Sequence, residues 1–401
     1  MREVGFAGQY VEWIHTDEMC IVLRGIIAVM TSATAELFRA TTSFSYAFSH
    51  WFPTPQLLSA RAAGVDISDS SIKWILLNPE GVGEQVQSFG EELLPEGVVV
   101  NGAIQDVAAL SSVLGRVKEK FGGVHAAHAS LPEEAAYVFN MQVPPRASRE
   151  QILSLIEFEL PDRVPLSAGS AVYDYDFIDQ NGEEIGVVVF SKEFTQKYVE
   201  VFSHAGLALI SLELEARSIA RAICADQLHD NVVMLVDFGR ARSGIAILKH
   251  GVPIFSSTVG IGGEAIAVRI MKKLSITREE AQTFVDEEGL FADGGEKTSA
   301  LEIVVGGASA FADELARHYH YWDTRRNDKG ERMSPVGRVL LVGGSANMKG
   351  IADYIATHLK APTEIPNVWQ GVAPADDYIP PIDRKTSLQY ATAIGLALRS
   401  R

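Results

Sequence analysis

Two distant stretches of this chain carry the same plan, and that repetition constrains the fold more than any other feature. Ala63-Gly-Val-Asp-Ile-Ser-Asp-Ser-Ser-Ile-Lys-Trp-Ile-Leu-Leu77 reads as an apolar strand, a tight polar turn and a second apolar strand. Val232-Val-Met-Leu-Val-Asp-Phe-Gly-Arg-Ala-Arg-Ser-Gly-Ile-Ala-Ile-Leu248 repeats it, with Asp237 standing 171 residues after Asp66 at the matching place. A duplication on this scale predicts two similar lobes facing one another. A turn between two strands points successive backbone N–H groups outward, and small residues let a phosphate come close. Ser68, Ser70 and Ser71 add hydroxyl donors, and Lys73 adds a point charge. An aspartate at each strand end, Asp66 and Asp237, suits Mg²⁺ held through water, because that ion sheds its hydration reluctantly. One such hairpin is weak evidence, since Asp and Ser are common turn residues. The matched pair is what points to a ligand.

A third element follows a strand. Arg338-Val-Leu-Leu-Val342 runs into Gly343-Gly-Ser-Ala-Asn-Met-Lys-Gly350 and then a helix through Leu359. Paired glycines after a strand let a flat ligand or a phosphate approach the backbone, and Ser345 or Asn347 can cap the helix. This is neither the dinucleotide G-x-G-x-x-G nor the element order of a P-loop.

Composition narrows the classes. The 401 residues are 47% hydrophobic, enough for two or more packed cores. A net charge of −16 argues against a nucleic-acid footprint, which needs Lys and Arg gathered on one face. Two cysteines, Cys20 and Cys224, make neither a metal cluster nor a disulfide framework and fit a reducing compartment. His318 and His320 lie two apart on a predicted helix and point different ways; His125 and His128 are better spaced but have no third ligand nearby. The first 55 residues read as an extension that is amphipathic or poorly ordered. Their apolar run from Cys20 to Met30 is shorter than the roughly 20 residues of a membrane span. Acidic residues precede it, the wrong sign for a secretory signal. Leu37, Phe44, Phe48 and Trp51 then form an aromatic stripe at helical spacing.

The two hairpins and the glycine turn, in this order, resemble the phosphate-1, phosphate-2 and adenosine motifs of the actin, sugar kinase and heat-shock chaperone superfamily. Within it, Ser211-Leu-Glu-Leu-Glu-Ala-Arg-Ser-Ile-Ala-Arg-Ala222 resembles the D-x-E-x-x-A-x-x-R segment of the PilM family of type IV pilus proteins, with Glu213 at the Asp position. Gly251-Val-Pro-Ile-Phe with Val259-Gly-Ile-Gly-Gly-Glu264 resembles its G-x-P-x-F…G-G segment, and Tyr390-Ala-Thr-Ala-Ile-Gly395 its closing helix. The resemblance runs from about residue 55 to the end.

It implies an α/β, actin-like ATPase fold of two duplicated ribonuclease-H-like lobes. The first would span 56–230, with a small α/β subdomain inserted at about 130–210, as in PilM and the cell-division protein FtsA. The second would span 231–385, with a small helical subdomain at about 264–335, and 386–401 would pack back on the first lobe. It also implies ATP with Mg²⁺. Asp66 and Asp237 would govern the metal, and Ser68, Ser70, Ser71, Lys73, Gly239 and Ser243 would cradle phosphates. Gly262 and Gly263 would line the same ligand, and Gly343, Gly344 and Ser345 the adenosine. Glu215 stands at the motif's Glu position and would orient the attacking water, with Glu213 in reserve.

By the same resemblance the protein would be a cytoplasmic scaffold, peripheral at the inner membrane, for a type IV pilus or related secretion system. It would capture the N-terminal cytoplasmic tail of a PilN-like membrane protein, near the pilus motor and platform proteins, and self-association is open. Three departures favour ATP binding over efficient hydrolysis. Arg240 and Arg242 replace small residues in the second turn, Ser243 replaces the common Thr, and Gln282 and Val285 replace an acidic and a basic residue. The arginines either bind phosphates or crowd the pocket. An FtsA-like division filament protein and a small-molecule kinase of the superfamily are the alternatives.

Overall fold

A computed structural model describes residues 61–80, 83–179, 181–223, 232–291, 297–326, 330–372 and 379–400. The N-terminal extension with its aromatic stripe, Cys20 and Cys224 all lie outside these residues.

The first lobe opens with an antiparallel meander of β1 (Ala63–Ile67), β2 (Ser71–Glu80) and β3 (Gly83–Leu93), in which Asp66 sits opposite Lys73. A two-residue hairpin, β4 (Val99–Val100) and β5 (Ala103–Ile104), leads into α1 (Val107–Glu119), whose start is fixed by the Asp106 carboxylate accepting the Ala109 N–H. β6 (Ala126–Leu131) then pairs parallel to β1, and β10 (Ala208–Leu214) parallel to β6. The sheet order is β10-β6-β1-β2-β3.

The second lobe repeats this. β11 (Val232–Phe238), β12 (Ser243–Lys249) and β13 (Val252–Val259) form a meander, β14 (Val336–Val342) pairs parallel to β11, and β15 (Thr363–Glu364) parallel to β14. Its order, β13-β12-β11-β14-β15, is the same arrangement, so the likeness of the two hairpins extends to whole sheets. Fully buried apolar runs such as Val233, Met234 and Val236 on β11 suit strands covered on both faces.

Between β6 and β10 the chain builds a further layer. β7 (Tyr137–Gln142), α2 (Arg149–Arg163), β8 (Ala171–Phe177) and β9 (Glu184–Ser191) make a three-stranded sheet, β7-β9-β8, under one helix. Ser148 and Gln151 start that helix as a reciprocal capping box. Side chains alternate along a strand, so β9 serves two cores. Ile185, Val187 and Val189 pack with Phe139, Ile152, Ile156 and Leu160 in a separate cluster, whereas Val188 and Phe190 join the main core. The following helix, α3 (Lys192–His204), gives Tyr198, Val201 and Phe202 to the main core. The inserted layer also touches the second lobe. A Cβ on Gly186 would lie 2.6 Å from Val252 of β13, and Lys249 pairs with Glu184.

The second lobe carries α5 (Gly263–Leu274), α6 (Arg278–Glu287), the long α7 (Lys297–Thr324) and α8 (Ile351–Leu359). After a single turn, α9 (Arg384–Ser387), helix α10 (Ala391–Ala397) buries every residue against the first lobe. It lies on β1 and on α4 (Glu215–Ala222), the helix that follows β10. Contact is backbone to backbone: a Cβ on Gly64 would stand 2.1 Å from the Ala393 carbonyl oxygen, and one on Gly395 1.7 Å from that of Ser218. Beyond α10, Arg399 pairs with Glu213 at the end of β10. Arg221 of α4 grips the same carboxylate with two bonds of 2.7 and 2.8 Å.

His128, on β6, hydrogen-bonds Ser211 of β10 at 2.7 Å in the core. Burial, aided by the Arg399 charge, pushes its imidazole down from 6.5 to about 3. The unfolded chain therefore takes up a proton that the folded one refuses. Stability from this group is full above pH 6.5 and falls progressively toward pH 3, by a total of about 5 kcal/mol. Urea denaturation at pH 7.5 and 5.0 should show less loss for His128→Asn than for the wild type over that interval.

Candidate functional site

Parallel strands bring ligand-facing residues to their carboxyl ends, and here those ends meet across the space between the lobes. Asp66 closes β1 and Asp237 closes β11, each one residue from its strand end and each in the first strand of its meander. Glu215 opens α4 directly after β10, and Gly343 follows β14.

The first hairpin turn is self-supporting. The Ser68 N–H donates to the Ser71 carbonyl at 2.9 Å, and the Ser68 hydroxyl accepts the Ser71 N–H at 3.2 Å. Lys73 donates to the Ser71 hydroxyl at 3.0 Å and pairs with Glu91 of β3 at 3.4 Å. Ser70 is half-buried at the tip, and its carbonyl accepts the Leu94 N–H. Asp66 is buried and accepts from the Ser130 hydroxyl at 3.0 Å.

The second-lobe residues interlock. The Ser243 hydroxyl donates to the Ile261 carbonyl at 2.6 Å, and that of Ser345 to the Gly239 carbonyl at 2.9 Å. The first N–H groups of α5, from Gly263 and Glu264, are taken up by the carbonyls of Gly239 and Arg240. Three loops can approach this closely because glycine has no side chain. A Cβ on Gly262 would lie 2.2 Å from the Arg240 oxygen, and one on Gly263 2.3 Å from Ser345 Oγ. A Cβ on Gly343 would lie 2.3 Å from an Asp237 oxygen, and there φ is +87°, a region that disfavours other residues. Around Gly344 only the Gln389 side chain comes near. Gly239, Ser243, Gly262, Gly263, Gly343, Gly344 and Ser345 thus form one cluster, and both serine hydroxyls are engaged by carbonyls inside it.

Between the lobes lies a group of acids. Glu133 follows β6, is buried, and accepts the Ala216 N–H at 2.8 Å, anchoring the start of α4. Its carboxyl also bonds that of Glu215, and it reaches across to Gly244 of β12, where a Cβ would be 3.2 Å away. Enclosure raises the Glu215 carboxyl well above its usual range, and the neighbouring Glu133 charge and hydrogen bond add to this. Asp237 is raised to about 7, by enclosure first and then by Glu133 and Asp66. Asp66 is raised by burial, with Lys73 opposing. Carboxyls gathered in one enclosure are neutralised either by protons or by a cation. An all-oxygen set suits Mg²⁺. Among the described residues no three His, Cys, Asp or Glu side chains converge as metal ligands.

Glu213 lies elsewhere, buried against Arg221 and Arg399 beside the closing helix. Three acids escaped sequence reasoning: Glu133, and Glu134 and Asp69, which both pair with Arg242 of the second turn. The signal was present for two of them, because a pair of acids directly after an apolar strand is placed at a carboxyl end. Gln282 hydrogen-bonds Asp286 on α6, and Val285 is buried. His318 bonds Ser257 and the Glu314 carbonyl.

The family described as type IV pilus assembly protein PilM has a model that matches residues 64–401. Among solved structures, a PilM–PilN type IV pilus biogenesis complex aligns with TM-score 0.69 at 19% identity, over 85% of this chain and 99% of that one. The ethanolamine utilization protein EutJ from Carboxydothermus hydrogenoformans aligns at 0.49 and 16%, over 86% of this chain and 90% of that one. MreB5 of Spiroplasma citri bound to ADP aligns at 0.48 and 12%, over 85% and 95%.

Proposed function

Since this chain belongs to the type IV pilus assembly protein PilM family and has the actin-like α/β fold, we propose that it binds Mg-ATP between its lobes and uses that occupancy to present a docking surface for the pilus machine. The observation that carries this is the meeting of Asp66, Glu215 and Asp237 at strand ends facing one interlobe space. Asp66 and Asp237 hold the hydrated cation, which offsets the acids and the phosphate charge. The Ser68–Ser71 turn and Lys73 offer donors from one side, and the Gly239–Ser243 turn from the other. Gly343, Gly344 and Ser345 border the adenosine. Glu215, anchored through Glu133, orients a water for slow hydrolysis. Because both lobes touch one ligand, binding favours the closed arrangement and can bias a surface elsewhere.

The partner follows from the family: a solved relative is a PilM–PilN complex, and here a PilN-like cytoplasmic tail docks beside the inserted layer. No helix among the described residues is long and apolar enough to cross a membrane. In this reading the partner supplies attachment to the inner membrane, with motor and platform proteins nearby.

Titration of a fluorescent ATP analogue with Mg²⁺ tests the site. Asp66→Ala and Asp237→Ala should each weaken binding about tenfold or more, the scale of one lost charge-assisted contact. Glu215→Gln should retain binding and lose whatever hydrolysis the wild type shows. No saturable binding by the folded wild type would sink the nucleotide reading.

A further inference from the structure

Arg242 belongs to the turn of the second hairpin, yet its guanidinium is held by two carboxylates of the first lobe. These are Asp69, in the turn of the first hairpin, and Glu134, just past β6. One side chain therefore spans the two turns where a phosphate would have to lie to touch both. A guanidinium offers the same planar fork to a carboxylate and to a phosphate. An anion entering between the turns must compete with Asp69 and Glu134 for those donors.

The first lobe is built to release it. Asp69 also accepts the N–H groups of Asn101 and Gly102, at 3.1 and 2.9 Å. Both residues take positive φ, 50° and 70°, which turns successive amides toward the carboxylate. Tyr198 fixes this turn by donating to the Gly102 carbonyl at 2.8 Å. When Arg242 leaves, Asp69 keeps two backbone donors, and the exchange needs only rotation of a long side chain.

We propose that Arg242 is a phosphate-binding residue held in reserve by Asp69 and Glu134, and that it transfers to the terminal phosphates of an incoming nucleoside triphosphate. The two carboxylates set affinity by competition. This rests on the nucleotide reading above and answers whether the arginine-bearing turn obstructs the site: it guards it and then contributes to it.

Calorimetric titration of Mg-ATP and of AMP into wild type, Arg242→Ala, Asp69→Asn and Glu134→Gln separates the alternatives. Arg242→Ala should weaken ATP about tenfold and leave AMP unchanged, the loss of one charged hydrogen-bond pair. Asp69→Asn and Glu134→Gln should shift ATP the other way, tightening it several-fold by removing a competitor. Glu134→Gln provides the same readout should Asp69→Asn disturb the Asn101–Gly102 turn. ATP that binds wild type and Arg242→Ala equally, or binds Arg242→Ala more tightly, overturns the exchange while leaving the nucleotide site standing. ATP that fails to bind the wild type overturns both.

Discussion

Gly395→Ala should lower stability by about 3 kcal/mol or more and take nucleotide binding down with it. The added carbon would stand 1.7 Å from the Ser218 carbonyl oxygen, a backbone atom that no rotamer change can move. Helix α10 must then back away from α4 and β1, the elements that carry Glu215 and Asp66. Gly64→Ala attacks the same seam from the other side, at 2.1 Å from Ala393. Thermal unfolding measures the loss, and Gly306→Ala supplies the contrast. Gly306 lies exposed on α7 with open space around it, so alanine there should be neutral or slightly stabilising, by up to about 1 kcal/mol of helix propensity. A Gly395→Ala protein that melts with the wild type would show that α10 does not pack in this way.

Two neighbouring glutamates should respond in opposite ways to the same change. Glu213→Gln should cost about 3–5 kcal/mol, because it leaves Arg221 and Arg399 buried without their shared anion. Burial alone would raise the Glu213 carboxyl, but the two guanidiniums overcome it and hold it at about 2. A folded pKa below the unfolded one gives stability that is complete above about pH 4.5 and is lost as pH falls toward 2. Glu213→Gln should erase that slope. Glu215→Gln removes a carboxyl whose ionised form is disfavoured by burial and by Glu133, Asp66 and Glu134, so folding no longer has to protonate it and stability should be unchanged or higher. Urea midpoints at pH 7 decide, and a Glu213→Gln midpoint matching the wild type would reject the buried clamp.

The hairpins were legible in the sequence because each is local. Apolar runs bracket a short polar turn, and β1–β2 and β11–β12 fall where the runs predict. The strand and glycine turn after Arg338 were equally plain. The sheet orders were not legible. β6 owes its place between β1 and β10 to parallel pairing across long loops, and no local pattern encodes which strand it joins. For Glu133 the sequence offers only its place after an apolar strand, since its partners Ala216 and Gly244 are brought to it by the assembled lobes. Only the family resemblance placed Glu215 ahead of Glu213. Adjacent odd positions look alike until the turn from β10 into α4 sends one carboxylate to the closing helix and the other to the interlobe acids.

The strand that serves two cores has a mechanical consequence. With Val187 and Val189 in one cluster and Val188 and Phe190 in the other, β9 gives the inserted layer no slack joint against the main sheet. Any tug on that layer is a load borne by the lobe itself. Its other flank rests on β13 through Gly186, so widening the gap between the lobes must drag Val252 and Pro253 beneath it. The inserted layer therefore works as a gauge rigidly bolted to one jaw with its needle on the other. A partner bound to this layer, as proposed above, would thus be coupled to the distance between the lobes without touching a nucleotide between them.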